Sequence, residues 1–335
     1  MKAVQVSKPG GPEALELVDL PVPVPGPGQV QLTARAFGVS MPDALIRSGV
    51  YKWMPPLPAN PGNDVAGIVT AVGPGVTGIE VGSKALLSAR DLPMRGGCYA
   101  EVVVAPADAI HPLAPHVDLE QAVCLPNYQV AQALLQECGH PLAPRSVLVV
   151  GAAGGIGSAI AQLAKREGLR VLGTVSSEEK AAFARRNGVD EVIFYRTEPV
   201  ATRVRELTGD AGVGRVFEHA GGPGFVDLVA ALGDWGTLVS YNGFSPLPAE
   251  HLTAALRTHM AVCPGVRQFS FHYYDHQRDA RRALMRTVID ALTHGEIAPA
   301  IWTRLPFSEV RRAHELLASG AALGKIVMTP DTPPA

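Results

Sequence analysis

The stretch with the clearest chemical purpose is Gly151-Ala152-Ala153-Gly154-Gly155-Ile156-Gly157, directly after the apolar run Ser146-Val147-Leu148-Val149-Val150. Glycines at this spacing let the backbone turn sharply and approach a pyrophosphate closely. A helix starting there turns free N–H groups toward the anion. Many proteins use such loops for plain turns. Here an apolar strand precedes the loop, a helical pattern runs on through Lys165 and another strand follows, which is the context of a dinucleotide site.

Cofactor choice is read at the tip of that next strand, where an NAD enzyme places Asp or Glu on the ribose 2′-hydroxyl. This chain has Thr174-Val175-Ser176-Ser177-Glu178-Glu179-Lys180. Ser176 occupies the tip, while Glu178 and Glu179 suit the first turn of the following helix, where acids complement the dipole. Lys180 can reach back to a 2′-phosphate, or it is a solvated helix charge, and Tyr195 closes the next strand nearby. The set favours NADPH over NADH.

His219, in Phe217-Glu218-His219-Ala220-Gly221-Gly222, ends the fourth strand of this alternation. Ligands bind outside the carboxyl ends of such strands, so His219 should face a ribose or nicotinamide. It can serve as a hydrogen-bond partner there or, since imidazole titrates near neutrality, as a proton shuttle. In Phe271-His272-Tyr273-Tyr274-Asp275-His276 two histidines stand four apart, with no third ligand at fixed spacing. Aromatic lining of a substrate mouth explains the stretch more simply than a metal does.

These groups need positioning elements, and the chain divides into two textures. Roughly the first 120 residues are rich in strands and turns. Pro21 to Gly28 forms a stiff approach to the alternating strand Gln29-Val30-Gln31-Leu32-Thr33-Ala34-Arg35-Ala36. From about Leu119, short apolar strands at 147–150, 170–174, 191–194, 213–219 and 237–241 alternate with helical patterns. This is the pattern of a parallel sheet with crossovers. Near Gln268 the alternation stops, and helices at 278–293 and 308–319 and strands at 301–306 and 325–329 close the chain.

Bulk composition agrees with a two-domain chain of 335 residues, 47% hydrophobic and 18% charged. A net charge of −2 without a long basic run argues against nucleic acid or anionic membrane as partners. No apolar stretch reaches the roughly 18 residues that span a bilayer. Residues 1–5 read as a strand and lack the features of a signal peptide, so a cytoplasmic location is the expectation. Cys98, Cys124, Cys138 and Cys263 are scattered without CxxC spacing, which points to neither disulfides nor a zinc knuckle.

With these residues in view, the chain resembles the zinc-free quinone oxidoreductases (the ζ-crystallin-like group) of the medium-chain dehydrogenase/reductase superfamily. The motifs carrying the likeness are Phe37-Gly38-Val39-Ser40-Met41-Pro42-Asp43 with Arg47-Ser48-Gly49-Val50-Tyr51, and Pro61-Gly62-Asn63-Asp64-Val65-Ala66-Gly67. Gly97-Cys98-Tyr99-Ala100-Glu101, the loop at 151–157, Gly173-Thr174-Val175-Ser176, Arg312-Ala313-His314-Glu315 and Gly324-Lys325 complete them.

The resemblance implies an α/β fold: a GroES-like β-rich catalytic domain (1–122 with 270–335) around a Rossmann doubly wound parallel sheet (123–269). It implies NADPH in the cleft between them. Gly154, Gly155 and Ile156 would hold the pyrophosphate and Ser176, Lys180 and Tyr195 the 2′-phosphate, with Gln129 and Ala153 also among the cofactor-binding residues. His219, Tyr241, Asn242, Gly324 and Lys325 would flank the ribose and nicotinamide. It also implies a homodimer using the region near 262–269.

Zinc enzymes of the superfamily hold metal through a Cys near the position of Ser40, a His at that of Asn63 and a later Cys or acid, beside a four-cysteine lobe missing here. Without thiolate or imidazole at these places, metal is not expected. Hydroxyl or amide donors must then meet negative charge developing on the substrate, and Ser40 and Tyr51 are the catalytic candidates. The Tyr aligned with Tyr51 is the presumed proton donor of the related 2-enoyl thioester reductases, and a packing aromatic is its bland alternative. Relatives often carry Asn at Ser40, Tyr at Leu45 and a small hydroxyl residue at His219. Asp43 is expected to cap the helix that follows it, and Asp64 to pair with a nearby cation or the backbone. The expected activity is metal-free NADPH-dependent reduction of a quinone or electron-poor enone. Reduction of a 2-enoyl thioester and a non-enzymatic NADPH-binding scaffold are the alternatives.

Overall fold

The computed structural model describes residues 1–241 and 249–331, and the expectation for Asn242 lies outside them. The chain opens with β1 (Lys2–Gln5), β2 (Glu16–Asp19), β3 (Gln29–Val39), α1 (Met41–Ser48), β4 (Asp64–Val72), β5 (Lys84–Ser88), β6 (Val102–Pro106), β7 (Ile110–Leu113) and α2 (Leu119–Ala122). Then come α3 (Leu125–Glu137), β8 (Ser146–Val149), α4 (Gly155–Arg166), β9 (Arg170–Val175), α5 (Glu178–Arg186), β10 (Glu191–Phe194), α6 (Val200–Thr208), β11 (Val213–Glu218), β12 (Leu232–Tyr241), α7 (Ala249–Thr258) and β13 (Gly265–Phe269). It closes with α8 (Arg278–Thr293), β14 (Ile301–Pro306), α9 (Val310–Ala318) and β15 (Lys325–Thr329).

Two compact units result, Met1–Pro126 with Met285–Ala335, and Asn127–Leu284. The divisions fall inside α3 and α8, a few residues later than the texture change at 122–123 and well after 269–270. Composition alone does not mark a division point inside a helix.

The first unit is a sheet in the order β14-β15-β3-β4-β5-β7, with β6 also paired to β3. Its register is pinned by alternation: along β3 the even-numbered positions from Val30 to Ala36 point into the core and the odd ones do not. Phe37 stacks on Phe307 at 4.5 Å between ring centroids and meets the edge of Tyr99 at 6.4 Å. This places an aromatic cluster behind the residues that follow β3.

The second unit is a parallel sheet in the order β10-β9-β8-β11-β12-β13. In chain order this is 3-2-1-4-5-6, the doubly wound arrangement of a dinucleotide fold. Central strands are covered on both faces, so all four residues of β8 are buried. Among the described residues, no helix is long and apolar enough to cross a membrane.

Candidate active site

In the second unit β8 runs into the glycine-rich loop and α4. Gly151 adopts φ +70°, and its N–H donates to Thr174 Oγ1 at 3.1 Å. Ala152 N–H donates to the Thr174 carbonyl at 3.1 Å, which ties the loop to the end of β9. Gly157 has no room for a side chain, since a Cβ there would stand 2.5 Å from the Gly151 carbonyl oxygen. Gly154 is the N-cap of α4, so the Gly155 and Ile156 amides belong to the first turn, whose N–H groups have no partner within the helix. Ala153 is buried beside them.

At the end of β9, Ser177 caps α5 by accepting from Lys180 N–H at 3.3 Å. Glu178 and Glu179 fall in the first turn of α5, as their fit to the dipole predicts. Ser176 and Lys180 are partly buried and Tyr195 is half-exposed just past β10. These three line the parallel tips of β9 and β10, whose Phe194 pairs with Val175.

His219 lies one residue beyond β11 and leans against Gly151 and, at 5.8 Å between ring centroids, Tyr241. Burial holds its imidazole below its ordinary value and therefore neutral at pH 7. Behind it, Glu218 Oε1 accepts from Ala220 N–H at 2.6 Å and Gly221 N–H at 2.8 Å, which folds the loop after β11. Glu218 Oε2, His219 Nδ1 and Ser240 Oγ are buried without hydrogen-bond partners among the described residues. All three sit at the carboxyl ends of β11 and β12. Buried polar atoms ordinarily find partners, so these ends fit a bound nucleotide with hydroxyl and amide groups. The Gln129 amide nitrogen donates to the Arg281 carbonyl at 2.8 Å.

The first unit holds a different kind of site at the junction of β3 and α1. Ser40, rather than Asp43, is the helix N-cap. Pro42 fits inside the first turn, where no N–H partner is needed, so the helix begins earlier than expected and Asp43 becomes its third residue. The Asp43 carboxyl reaches back, accepting from Ser40 N–H at 2.8 Å and Ser40 Oγ at 2.7 Å. Asn63 Nδ2 donates to its other oxygen at 2.6 Å, and the Tyr99 hydroxyl lies 3.3 Å away. Burial and the neighbouring Asp64 push the Asp43 carboxyl up to about 6, against the pull of Ser40, Asn63 and Lys325.

Asp64 accepts from Ser88 Oγ at 3.0 Å and faces Lys325 Nζ at 3.7 Å, with both charged groups buried. That satisfies the expectation of a nearby cation for Asp64. It also places the Lys325 ammonium inside the first unit. Tyr51 is 8% exposed and packs on Ile46, Ala59 and Trp53. Among the described residues, no group of three or more His, Cys, Asp or Glu is arranged to hold a metal ion. His272 pairs with Asp275 at 2.9 Å.

Residues 26–115 match the alcohol dehydrogenase GroES-like domain, and residues 187–328 match a family described as zinc-binding dehydrogenase. A quinone oxidoreductase of Pseudomonas aeruginosa is 32% identical over 98% of this chain and 99% of its own length. The chain belongs to the quinone oxidoreductase group of the medium-chain dehydrogenase/reductase family. Among solved structures, a mycobacterial protein complexed with NADPH is 32% identical with a TM-score of 0.83, covering 98% of this chain and 100% of that one. A 2-haloacrylate reductase is 29% identical with a TM-score of 0.80, covering 99% and 100%. This quinone oxidoreductase-group chain is accordingly an NAD(P)-dependent oxidoreductase acting on a small molecule.

Two features of the candidate site are not visible in a linear reading. Glu218 shapes the nucleotide-side loop, and its signal was an acid at the end of an apolar strand before paired glycines. The Asp43 cluster joins residues from β3, α1, β4 and α9 with the segments before β4 and β6, and no local pattern gathers them.

Proposed function

We propose that the chain is an NADPH-dependent reductase of quinones or electron-poor enones that works without zinc. The carrying observation is the state of Ser40 and Asn63, where zinc relatives hold metal. Both side chains are committed to the Asp43 carboxyl, at 2.7 and 2.6 Å, as a hydrogen-bond network rather than a donor set.

When bound, the reduced nicotinamide supplies a hydride from its C4. The Gly155 and Ile156 amides would hold the pyrophosphate, beside Gly154 whose own N–H donates to the Gly151 carbonyl at 3.0 Å, and Ser176, Lys180 and Tyr195 would receive the 2′-phosphate. No carboxylate stands at the tip of β9 to reject that phosphate, which supports NADPH over NADH. His219 and Tyr241 hold the ribose and nicotinamide end, His219 as a neutral hydrogen-bonding group. Ser40 and Tyr51 donate hydrogen bonds to the acceptor oxygen as charge develops on it. A homodimer using the region near 262–269, where β13 is the last strand of its sheet among the described residues, and a cytoplasmic location complete the reading.

Reduction of an activated alkene acid or thioester is the second reading, favoured by the likeness to a 2-haloacrylate reductase. Stopped-flow oxidation of NADPH with 1,4-benzoquinone, an alkyl enone, 2-chloroacrylate and crotonyl-CoA separates the two. Turnover of quinone or enone in protein treated with a chelator supports the first. Turnover confined to the acid or thioester supports the second. Tight NADPH binding without turnover of any acceptor leaves an NADPH-binding scaffold.

A further inference from the structure

Reduction of a quinone or enone by hydride leaves an oxyanion that must receive a proton, and the reductase reading above does not say where that proton is kept. The first unit contains a group built to keep one. Asp43 is fully buried, and three polar neighbours surround its carboxyl: Ser40, Asn63 and Tyr99. Asn63 and Tyr99 are buried too, at 6% and 0% exposure, while Ser40 is partly exposed. Any proton entering or leaving Asp43 therefore has its shortest path through the Ser40 hydroxyl.

We propose that Asp43 is the proton reservoir of this active site and acts through Ser40. The Asp43 O–H donates to the Ser40 oxygen, and the Ser40 hydroxyl proton passes to the oxyanion of the reduced acceptor. The bookkeeping is complete within the proposed reaction. Hydride, with its electron pair, forms the new bond on the acceptor and leaves NADP⁺. The Ser40 O–H bond breaks as the acceptor O–H bond forms, and the Asp43 proton restores Ser40. Asp43 is left as a carboxylate and regains a proton from water through Ser40. This inference rests on the reductase reading.

Protonation also reverses the hydrogen bond. An ionised Asp43 can only accept, so Ser40 points its proton inward at 2.7 Å. A neutral Asp43 can donate, which frees the Ser40 proton to face outward. The capping role is preserved in both states, because the Asp43 oxygen still accepts from Ser40 N–H at 2.8 Å.

The charged and titratable groups around Asp43 decide how readily it keeps the proton. Asp64 on β4 is a second buried carboxylate and favours the neutral form, whereas Lys325 on β15 opposes it. Cys98 and Tyr99, on the segment before β6, hold their own protons tightly, pushed well up by burial. His314 on α9 touches the Tyr99 hydroxyl at 3.5 Å, and burial drives its imidazole down to about 3, so it stays neutral. Arg47, one turn along α1, acts on His314. With these neighbours Asp43 titrates at about 6, within the range where a general acid works near neutral pH.

Two measurements test the relay, one of them independent of turnover. In the cofactor-free protein, the Asp43 carboxyl carbon, labelled with ¹³C and assigned with Asp43→Asn, should titrate at about 6. In single-turnover NADPH oxidation with 1,4-benzoquinone, the wild-type rate should fall as pH rises past that value. Asp43→Asn and Ser40→Ala should lose this descending limb and about 100-fold in rate at low pH, and Ser40→Thr, which keeps the hydroxyl, should retain the limb. Circular dichroism and NADPH binding confirm that each variant is folded. A limb unchanged in Asp43→Asn or Ser40→Ala, or an Asp43 carboxyl titrating near 4, overturns the relay while leaving the reductase reading intact. Wild-type protein that oxidises NADPH with no acceptor overturns the reductase reading and the relay with it.

Discussion

The His219 imidazole rests against the bare Cα of Gly151: a Cβ on Gly151 would stand 2.7 Å from His219 Cε1. Gly151 also adopts φ +70°, which costs a side-chain-bearing residue about 1–2 kcal/mol. Gly151→Ala should therefore lose about 2–4 kcal/mol of stability and weaken NADPH binding, as followed by thermal melting and fluorescence titration. His219→Ser on that background should return the steric part and leave the backbone part. Equal losses in the single and double variants would show that the contact carries no energy.

The Lys325–Asp64 pair is buried on both sides at 3.7 Å, and Lys325 Nζ has no hydrogen-bond partner among the described residues. Lys325→Met removes the counter-charge and leaves two carboxylates behind. Breaking a buried pair from one side typically costs about 3–5 kcal/mol. Chemical denaturation should show a loss of that size, and adding Asp64→Asn should recover a large part of it. No recovery in the double variant would place the loss in packing instead of charge.

Asp43 and His314 should contribute to the pH dependence of stability with opposite sign. The folded Asp43 carboxyl is raised to about 6. Its contribution is therefore fully present below the ordinary carboxylate value of about 3.8 and is lost as pH rises through 6. His314 is lowered to about 3 from 6.5, so its contribution is present above 6.5 and is lost as pH falls toward 3. Asp43→Asn should make stability fall more steeply as pH drops below 6.5, with His314 and the likewise lowered His219 driving the loss and the raised Asp64 still opposing it. Urea titrations at several pH values read the difference directly. A wild-type curve that parallels the Asp43→Asn curve across this range would refute the opposing contribution of Asp43.

Cofactor choice predicts an asymmetric response. Lys180→Ala should raise the NADPH dissociation constant about tenfold, the typical scale of one charge-assisted contact, with little change for NADH. Ser176→Asp should move preference further toward NADH by repelling the 2′-phosphate. Parallel losses for both cofactors would mean that Lys180 supports α5 and not the phosphate.

How much of this was legible in advance follows the range of the interactions. The glycine loop, the strand alternation and the acids opening α5 are local patterns, and each is where the residue types place it. The Ser40–Asp43 relation is also local, but Ser40 and not Asp43 is the N-cap. Proline is permitted at the second helical position as well as before the helix, and the Ser40–Asp43 capping box marks the earlier start. The remaining site depends on distance along the chain. Asn63 and Tyr99 meet Asp43 from 20 and 56 residues away. Only the register of β3 against β4 and the packing of Phe37, Tyr99 and Phe307 bring them together. Gln129 is likewise joined at a distance, its amide nitrogen donating to the Arg281 carbonyl 152 residues away.

Asp43, Asp64 and Lys325 have a consequence as a set. Two acids and one base sealed in one interior sum to a net charge of −1 when all are ionised, and to zero when one proton is added. A low-polarity interior favours the neutral sum. The proton is therefore a property of the trio, and its affinity belongs to the coupled acids more than to either alone. Substitutions at Lys325 or Asp64 should consequently retune Asp43 without touching it, so each new pairing in this interior sets a new working pH for the same surface chemistry.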